Sequence, residues 1–424
     1  MIYPNDFVNK VVCGENMTVM KDIPDNVIDS IICDPPYGLE FMGKGWDKIL
    51  PSPITWKQCL RVAKPGAMML VFGGTRTFHR LTCAIEDAGW EIRDCMMWLY
   101  GSGFPKSHDI SKAIDKAAGA EREVVGDNPN NRPNCVGKQM HTMSAPITIQ
   151  PITAPATDLA KQWDGYGTAL KPAWEPIIVA MKPLDGTFAQ NAEKWGVGGL
   201  WIDGGRIGTE IITQHRNSGG RKFVRKYDGH GTNLPVDGIK TQTQGRWPAN
   251  VILDEEAGVM LDEQSGVSKS NPTRKNKGGV LNTGSSYGQG IRKSDWNGPG
   301  DSGGASRFFY CAKASRSERN AGLEGMPLGE LPASARSKPA PGRKDALGQP
   351  RQNNHPTVKP LKLMEYLCKL TRTPEGGVVL DPFGGSGTTA VACRNTGRKY
   401  ILIEKDPHYC EIVRARVKTG GLFE

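Results

Sequence analysis

Two short runs carry the residues that could do chemistry. Asp34-Pro35-Pro36-Tyr37 lies near the start of the 424-residue chain, and Asp381-Pro382-Phe383-Gly384-Gly385-Ser386-Gly387-Thr388-Thr389 lies near its end. The exocyclic amine of a nucleobase is a poor nucleophile, because its lone pair is delocalised into the ring. A catalyst needs two acceptors aimed at the two N–H bonds, so that charge can build on nitrogen as a methyl group arrives. Asp34 supplies a carboxylate and Pro35 a backbone carbonyl, and the Pro35-Pro36 pair stiffens the turn that aims both. Tyr37 offers a flat face on which a base taken out of the duplex can stack. The plain alternative is an Asp-Pro-Pro turn capping a strand, with Tyr37 an ordinary packed aromatic. The position at a strand end, beside a separate cofactor signature, favours the chemical reading.

The second run fits a bound nucleoside. A strand, then the glycines from Gly384 to Gly387, then a helix lets backbone approach a ligand, and the helix start offers free N–H groups. Glu404 ends the next strand about twenty residues on, where a carboxylate can accept both ribose hydroxyl hydrogens. A phosphate loop is disfavoured, since the run lacks Gly-Lys-Ser/Thr. On this half alone a dinucleotide oxidoreductase stays open, but it leaves the Asp34 turn unexplained.

The elements that must position these turns follow a β-α-β rhythm. Val27 to Cys33 is a strand, Ile54 to Ala63 a helix, Ala67 to Phe72 a buried strand, Arg76 to Ala88 a helix and Trp90 to Tyr100 a strand. The rhythm predicts a largely parallel sheet covered by helices. It fades over 119–165, which reads as an insertion or linker, and one strand returns at Glu175 to Met181 within 166–182. From 183 to 350 Gly, Ser, Asn, Lys and Arg dominate. Residues 266–350 hold fourteen Lys/Arg against six Asp/Glu, a local +8 within a formal net charge of +10. A solvated loop region accounts for that charge; so does a surface that follows phosphates. Trp247, Trp296, Phe308, Phe309 and Tyr310 argue against pure disorder. The stretch 351–424 is compact again: a helix from Val358 to Thr371, a strand into Asp381, a helix from Thr388 to Thr396, a strand into Glu404, and a last helix opened by Pro407.

Composition narrows the classes. The ten cysteines are scattered with no Cys-x-x-Cys, so no zinc or other metal site is expected. Single cysteines in apolar runs, such as Cys33, Cys59 and Cys368, read as reduced core residues. No stretch approaches the roughly 18 apolar residues of a membrane span. The expectation is a soluble, cytoplasmic protein of a bacterial or phage-infected cell, without a membrane partner. Methylation at cytosine C5 is rejected, because it needs a cysteine nucleophile, which usually follows a proline, and no Pro-Cys pair occurs.

With these motifs the chain resembles the S-adenosylmethionine-dependent DNA amino-methyltransferases that act on adenine N6 or cytosine N4. It resembles the group in which the catalytic motif precedes the recognition region and the cofactor motif comes last, as in phage, prophage and restriction-modification enzymes. The resemblance covers roughly 1–118, 165–182 and 355–418. The family's Asp/Asn/Ser-Pro-Pro-Tyr/Phe motif is matched by Asp34, Pro35, Pro36 and Tyr37. Its Asp-Pro-Phe-x-Gly-Ser-Gly-Thr motif is matched from Asp381 through Phe383, Gly385, Ser386 and Gly387 to Thr388, with Gly384 where alanine or cysteine is frequent. Its acid at the next strand end is matched by Glu404. Its His-Pro-x-x-Lys-Pro segment, which helps close the methionine end of the cofactor site, is matched by His355, Thr357 and Lys359 with their neighbours. Gly14-Glu15 stands where the family often has Gly-Asp, which implies a contact from Glu15 to the cofactor's adenine.

The resemblance thus implies a Rossmann-like α/β sheet with helices on both faces, a circularly permuted motif order and an inserted target-recognition region. It divides the chain into a catalytic half (1–118), an insertion (119–165), a return strand (166–182), a recognition region (183–350) and a cofactor half (351–424). It implies S-adenosyl-L-methionine as cofactor and double-stranded DNA as partner, with adenine N6 the first choice of target and cytosine N4 the alternative. Arg274, Lys275 and Lys277 are candidates for phosphate contacts. A catalytically silent DNA-binding module is the competing class. Oligomeric state, a homodimer included, and any partner nuclease are left open by the sequence.

Overall fold

The computed structural model describes residues 1–39, 47–103, 107–126, 151–216, 222–225, 231–234, 239–269, 301–312 and 358–418, with short pieces between 318 and 355. Nine strands form one sheet: β1 (Lys10–Cys13), β2 (Ile28–Cys33), β3 (Ala63–Phe72), β4 (Glu91–Leu99), β5 (Trp174–Met181), β6 (Val251–Asp254), β7 (Tyr310–Ala312), β8 (Val378–Asp381) and β9 (Lys399–Glu404). Their order across the sheet is β1-β9-β8-β2-β3-β5-β4-β6-β7. All neighbours run parallel except at β5, which is antiparallel to both β3 and β4.

Burial on both faces explains the apolar runs of the central strands. Alternate side chains point to opposite faces. Ile31, Cys33, Met69, Val71, Leu380 and Ile401 therefore enter one core. Ile32, Leu70, Phe72, Val379, Tyr400 and Leu402 enter the other. Helices α1 (Pro53–Val62) and α2 (Phe78–Asp87) cover the first face through Trp56, Cys59, Leu81 and Ile85. Further along, α3 (Ile110–Ala117) and α4 (Phe188–Trp195) are capped by Asp109 and by a reciprocal Thr187–Gln190 box. After α5 (Glu255–Ser265) come α6 (Leu361–Leu370), α7 (Thr388–Asn395) and α8 (Pro407–Lys418), which cover the second face through Leu363, Leu367, Ala390, Cys393 and Val413. The result is three layers, helix on sheet on helix.

Two regions differ from the sequence expectation. Over 119–165 the expectation is an insertion or linker, yet residues 151–158 fold back onto 107–126 around a buried carboxylate. Asp115 accepts from Ala156 N at 2.9 Å, Thr157 N at 3.0 Å, the Thr157 hydroxyl at 2.8 Å and Arg122 at 2.6 Å. Polar contacts hold this lobe, so it lacks the apolar period by which helices and strands are read. The 183–350 stretch, expected as a recognition region, also contributes to the main sheet. β6 and β7 come from within 183–350 and extend the main sheet in parallel beyond β4. Tyr310 also stacks on Tyr366 of α6, ring centres 3.9 Å apart. The short strands carry too few residues to announce a period. The rest of the described part of that region holds two-stranded ribbons, Ile207–Arg216 with Ile239–Arg246 and Lys222–Arg225 with Gly231–Leu234.

Candidate active site

Parallel strands bring their carboxyl ends to one edge, where ligands of open α/β sheets sit. β2 ends there and releases Asp34, β8 ends at Asp381, β9 at Glu404 and β1 just before Gly14-Glu15. The reversed strand β5 begins at that edge, so Glu175 near its start arrives beside them. These ends surround one cavity of about 1550 Å³. Single small-molecule sites are usually roughly 300–1,000 Å³, so the volume leaves room for more than one small ligand.

Asp34, Pro35, Pro36, Tyr37, Glu15, Asp381, Phe383, Gly384, Gly385, Ser386, Thr388, Glu404, His355 and Lys359 all line this cavity. Gly387 packs behind the wall: a Cβ there would lie 2.4 Å from Val413. Thr357, Arg274, Lys275 and Lys277, like Trp296, lie outside the described residues.

The catalytic turn is held by side chains from distant segments. The Tyr37 amide donates to Asp47 Oδ1 at 2.6 Å, and the Thr77 hydroxyl donates to the Tyr37 carbonyl at 2.7 Å. The Tyr37 hydroxyl donates to Asp34 Oδ1 at 2.7 Å. Lys359 Nζ, 9% exposed, reaches Asp34 Oδ2 at 2.8 Å, Glu175 Oε2 at 3.1 Å and the Tyr37 hydroxyl oxygen at 3.0 Å. Its ammonium also sits 5.3 Å from the centre of the Tyr37 ring and 4.8 Å from that of Phe72. Burial and the charges of Asp34 and Glu175 push the Tyr37 hydroxyl pKa well above the usual range, so Tyr37 stays a neutral donor. Burial alone would lower the Lys359 pKa, but the two carboxylates outweigh it and raise it. Lys359 therefore remains a cation. The resemblance implies a place at the methionine end of the cofactor for Lys359; its ammonium lies on the Asp34 carboxylate.

The glycine-rich turn is held by the strand beside it and by side chains from farther away. Gly384 N donates to Ile403 O at 2.8 Å, and Glu404 accepts from Gly385 N at 2.7 Å and Asp406 N at 2.8 Å. Burial raises the Glu404 pKa, and those two N–H groups partly offset the rise. Gly385 and Gly387 have φ of +50° and +80°, which side chains rarely adopt. Gly384 is required for a different reason: a Cβ there would lie 2.1 Å from Leu402 Cδ2. The glycines thus admit the chain's own side chains as well as any ligand. His355 packs against Gly385 and meets Tyr409 edge-on, ring centres 4.7 Å apart. Asn16 Nδ2 donates to Pro382 O at 3.2 Å, tying the segment after Glu15 to the turn. Burial drives the Asp381 pKa up to about 7, although Thr389 and the Phe383 N–H favour its charged form.

Sequence reasoning missed Glu175, Thr77, Asp47 and Arg416. Arg416 is buried and donates to Ser386 O at 2.6 Å and Ser386 Oγ at 3.2 Å, fixing the turn from α8. Glu175 had one readable signal, a carboxylate at the start of an otherwise apolar buried strand. The other three offered none. Among the described residues no group of three or more His, Cys, Asp or Glu side chains is placed to hold a metal ion. No helix among them is long and apolar enough to cross a membrane.

The strand order, the single reversed strand and the two turns at one edge define a class I, Rossmann-like methyltransferase fold. A family model described as DNA methylase matches residues 28–415, and the chain belongs to that family, the N6/N4 DNA methylases. Among curated proteins it is similar to the type II methyltransferase M2.LlaDCHI of Lactococcus lactis subsp. cremoris, 41% identical over 69 residues. It is also similar to the type II methyltransferase M2.DpnII of Streptococcus pneumoniae, 45% identical over 65 residues. Those stretches are 16% and 15% of this chain, and they span only about a quarter of each relative. Among solved structures, PvuII DNA methyltransferase (cytosine-N4-specific) aligns over 97% of this chain and 89% of its own, at 12% identity and a TM-score of 0.38.

Proposed function

We propose that the protein transfers a methyl group from S-adenosylmethionine to an exocyclic amino nitrogen of a base flipped out of DNA. Adenine N6 is the first choice and cytosine N4 the second. The observation that carries the reading is that Asp34 and Glu404, from opposite ends of the chain, line one cavity on neighbouring parts of one sheet. A carboxylate-Pro-Pro-Tyr turn fits an amine, and a glycine turn with a carboxylate at the next strand end fits a nucleoside.

The cofactor would lie against Gly385, Ser386 and Glu404, with Glu15 toward its adenine and His355 against the same turn; when bound it supplies an activated methyl group. Glu404 would take the ribose hydroxyl hydrogens on lone pairs not used by Gly385 and Asp406. Asp34 and the Pro35 carbonyl would accept the two amine hydrogens and stabilise the charge that builds on nitrogen. As the methyl–sulfonium bond broke and left the thioether, the nitrogen would gain the bond to carbon and lose one proton, for which Asp34 is the adjacent acceptor. Tyr37 would stack on the base while its hydroxyl holds Asp34. The region 183–350 would supply DNA affinity and sequence choice. Alanine at Arg274, Lys275 and Lys277 should then reduce the salt dependence of DNA affinity and leave cofactor binding intact.

The test is incubation of the protein with mixed DNA and labelled cofactor, followed by mass spectrometry of the nucleosides. N6-methyladenine supports the first choice and N4-methylcytosine the second. Cofactor and DNA binding without turnover would mean a silent module. Binding of NAD in place of S-adenosylmethionine would overturn the reading.

A further inference from the structure

Glu175 has no role in the mechanism above, yet it faces the catalytic carboxylate across a shared ammonium. Its Oε2 lies 3.1 Å from Lys359 Nζ and 3.2 Å from the Tyr37 hydroxyl. Both of those groups also hold Asp34, one on each carboxylate oxygen. The three hydrogens of the Lys359 ammonium thus have three acceptors: Asp34, Glu175 and the Tyr37 hydroxyl oxygen. Two carboxylates share one cation that is 9% exposed.

The placement follows from topology. A residue at the start of a strand parallel to β3 would lie at the far edge of the sheet. Because β5 runs antiparallel, with Ile177 opposite Phe72, its start lies where β2 and β3 end. Pro176 follows Glu175 directly, and the Tyr100 amide bonds to the Ala173 carbonyl just before it. Backbone on both sides of Glu175 is therefore constrained.

We infer that Glu175 is a positioning residue: by sharing Lys359 with Asp34, it keeps the Asp34 carboxylate oriented and free to accept from the amine. Without the Glu175 charge, Lys359 becomes the one-to-one partner of Asp34. A carboxylate locked in a buried ion pair is a weaker acceptor for a third group, since low local polarity strengthens the pair. Glu175 acts through Lys359 and makes no contact with the base.

This inference rests on the methyl-transfer reading, and a double-mutant cycle tests it. Single-turnover methylation rates and S-adenosylmethionine affinities are measured for wild type, Glu175→Gln, Lys359→Gln and the double variant, each checked for folding by thermal melting. Glu175→Gln is expected to slow methylation roughly tenfold with cofactor affinity unchanged. On the Lys359→Gln background the same substitution should have no further effect. Rate losses that multiply in the double variant would mean that Glu175 does not act through Lys359 and would overturn the inference. An unchanged rate in Glu175→Gln, or a loss of cofactor affinity matching the loss of rate, would overturn the inference as well.

A second readout needs no activity. Mass spectrometry of amine labelling should find Lys359 modified several-fold faster in Glu175→Gln, because losing a neighbouring carboxylate favours the neutral amine. Equal labelling would refute the shared cation. A wild type that methylates nothing but shows this labelling difference would fail the proposed activity and leave the charge network standing.

Discussion

The Asp34 turn and the glycine-rich turn stand on neighbouring strands, yet they are secured by different kinds of contact. The glycine-rich turn after β8 leans first on the strand beside it, through Ile403 O, the Glu404 carboxylate and the side chain of Leu402, and Asn16, His355 and Arg416 reach it from farther along the chain. The Asp34 turn after β2 leans on Asp47, Thr77, Glu175 and Lys359, which come from four separate segments. The glycines and the strand-end acid lie within one β-α-β unit, so most of that turn is close in sequence. The charges around Asp34 come from several segments and converge only in the tertiary fold.

Substitutions at the two turns should separate accordingly. The largest effect is expected from Asp34→Ala, which should cut the single-turnover rate by roughly two or more powers of ten while cofactor affinity stays within a few-fold. Rates near wild type would remove the catalytic role from this turn. Glu404→Ala should do the reverse, weakening S-adenosylmethionine by roughly 1.5–3 kcal/mol at most, as read by calorimetry. Unchanged affinity would leave Glu404 as a prop for Gly385 and Asp406 only.

Gly384→Ala probes how tightly the local turn is packed. The new methyl would meet Leu402 Cδ2 at 2.1 Å, so a loss of roughly 1–3 kcal/mol in denaturant melts is expected. Leu402→Val, which shortens that side chain, should recover part of it; no recovery would mean the strain lies in the backbone.

A last effect concerns pH. Asp381 holds its proton up to about 7 in the fold, against about 3.9 in an unfolded chain. Between those values the folded protein carries a proton that the unfolded chain has lost. Stability should therefore fall as pH rises through that window, by at most about 1.4 kcal/mol per pH unit, and level off above it. Asp381→Asn should flatten that slope in urea titrations. An equal slope in both proteins would place the pH dependence elsewhere.

Much of this site was legible before any coordinates. Asp34 to Tyr37 and Asp381 to Thr388 are contiguous motifs, and each follows a run apolar enough to be a buried strand. The parallel central sheet and its covering helices follow from the same runs. β6 and β7 were not legible, because four and three residues carry no period. The lobe around Asp115 was not either, because its core is a carboxylate with its donors.

By itself the sequence determined which residue types stand at the strand ends, since local pattern fixes strands, turns and the glycines that need positive φ. It did not determine that β5 runs backwards, or that Glu175 and Lys359 meet at Asp34. Strand direction in a sheet is decided by how the connections pack, and a buried charge finds its partners only when distant segments enclose it. The tertiary structure therefore decided the electrostatics of the Asp34 turn, while the residue types of both turns were already written along the chain.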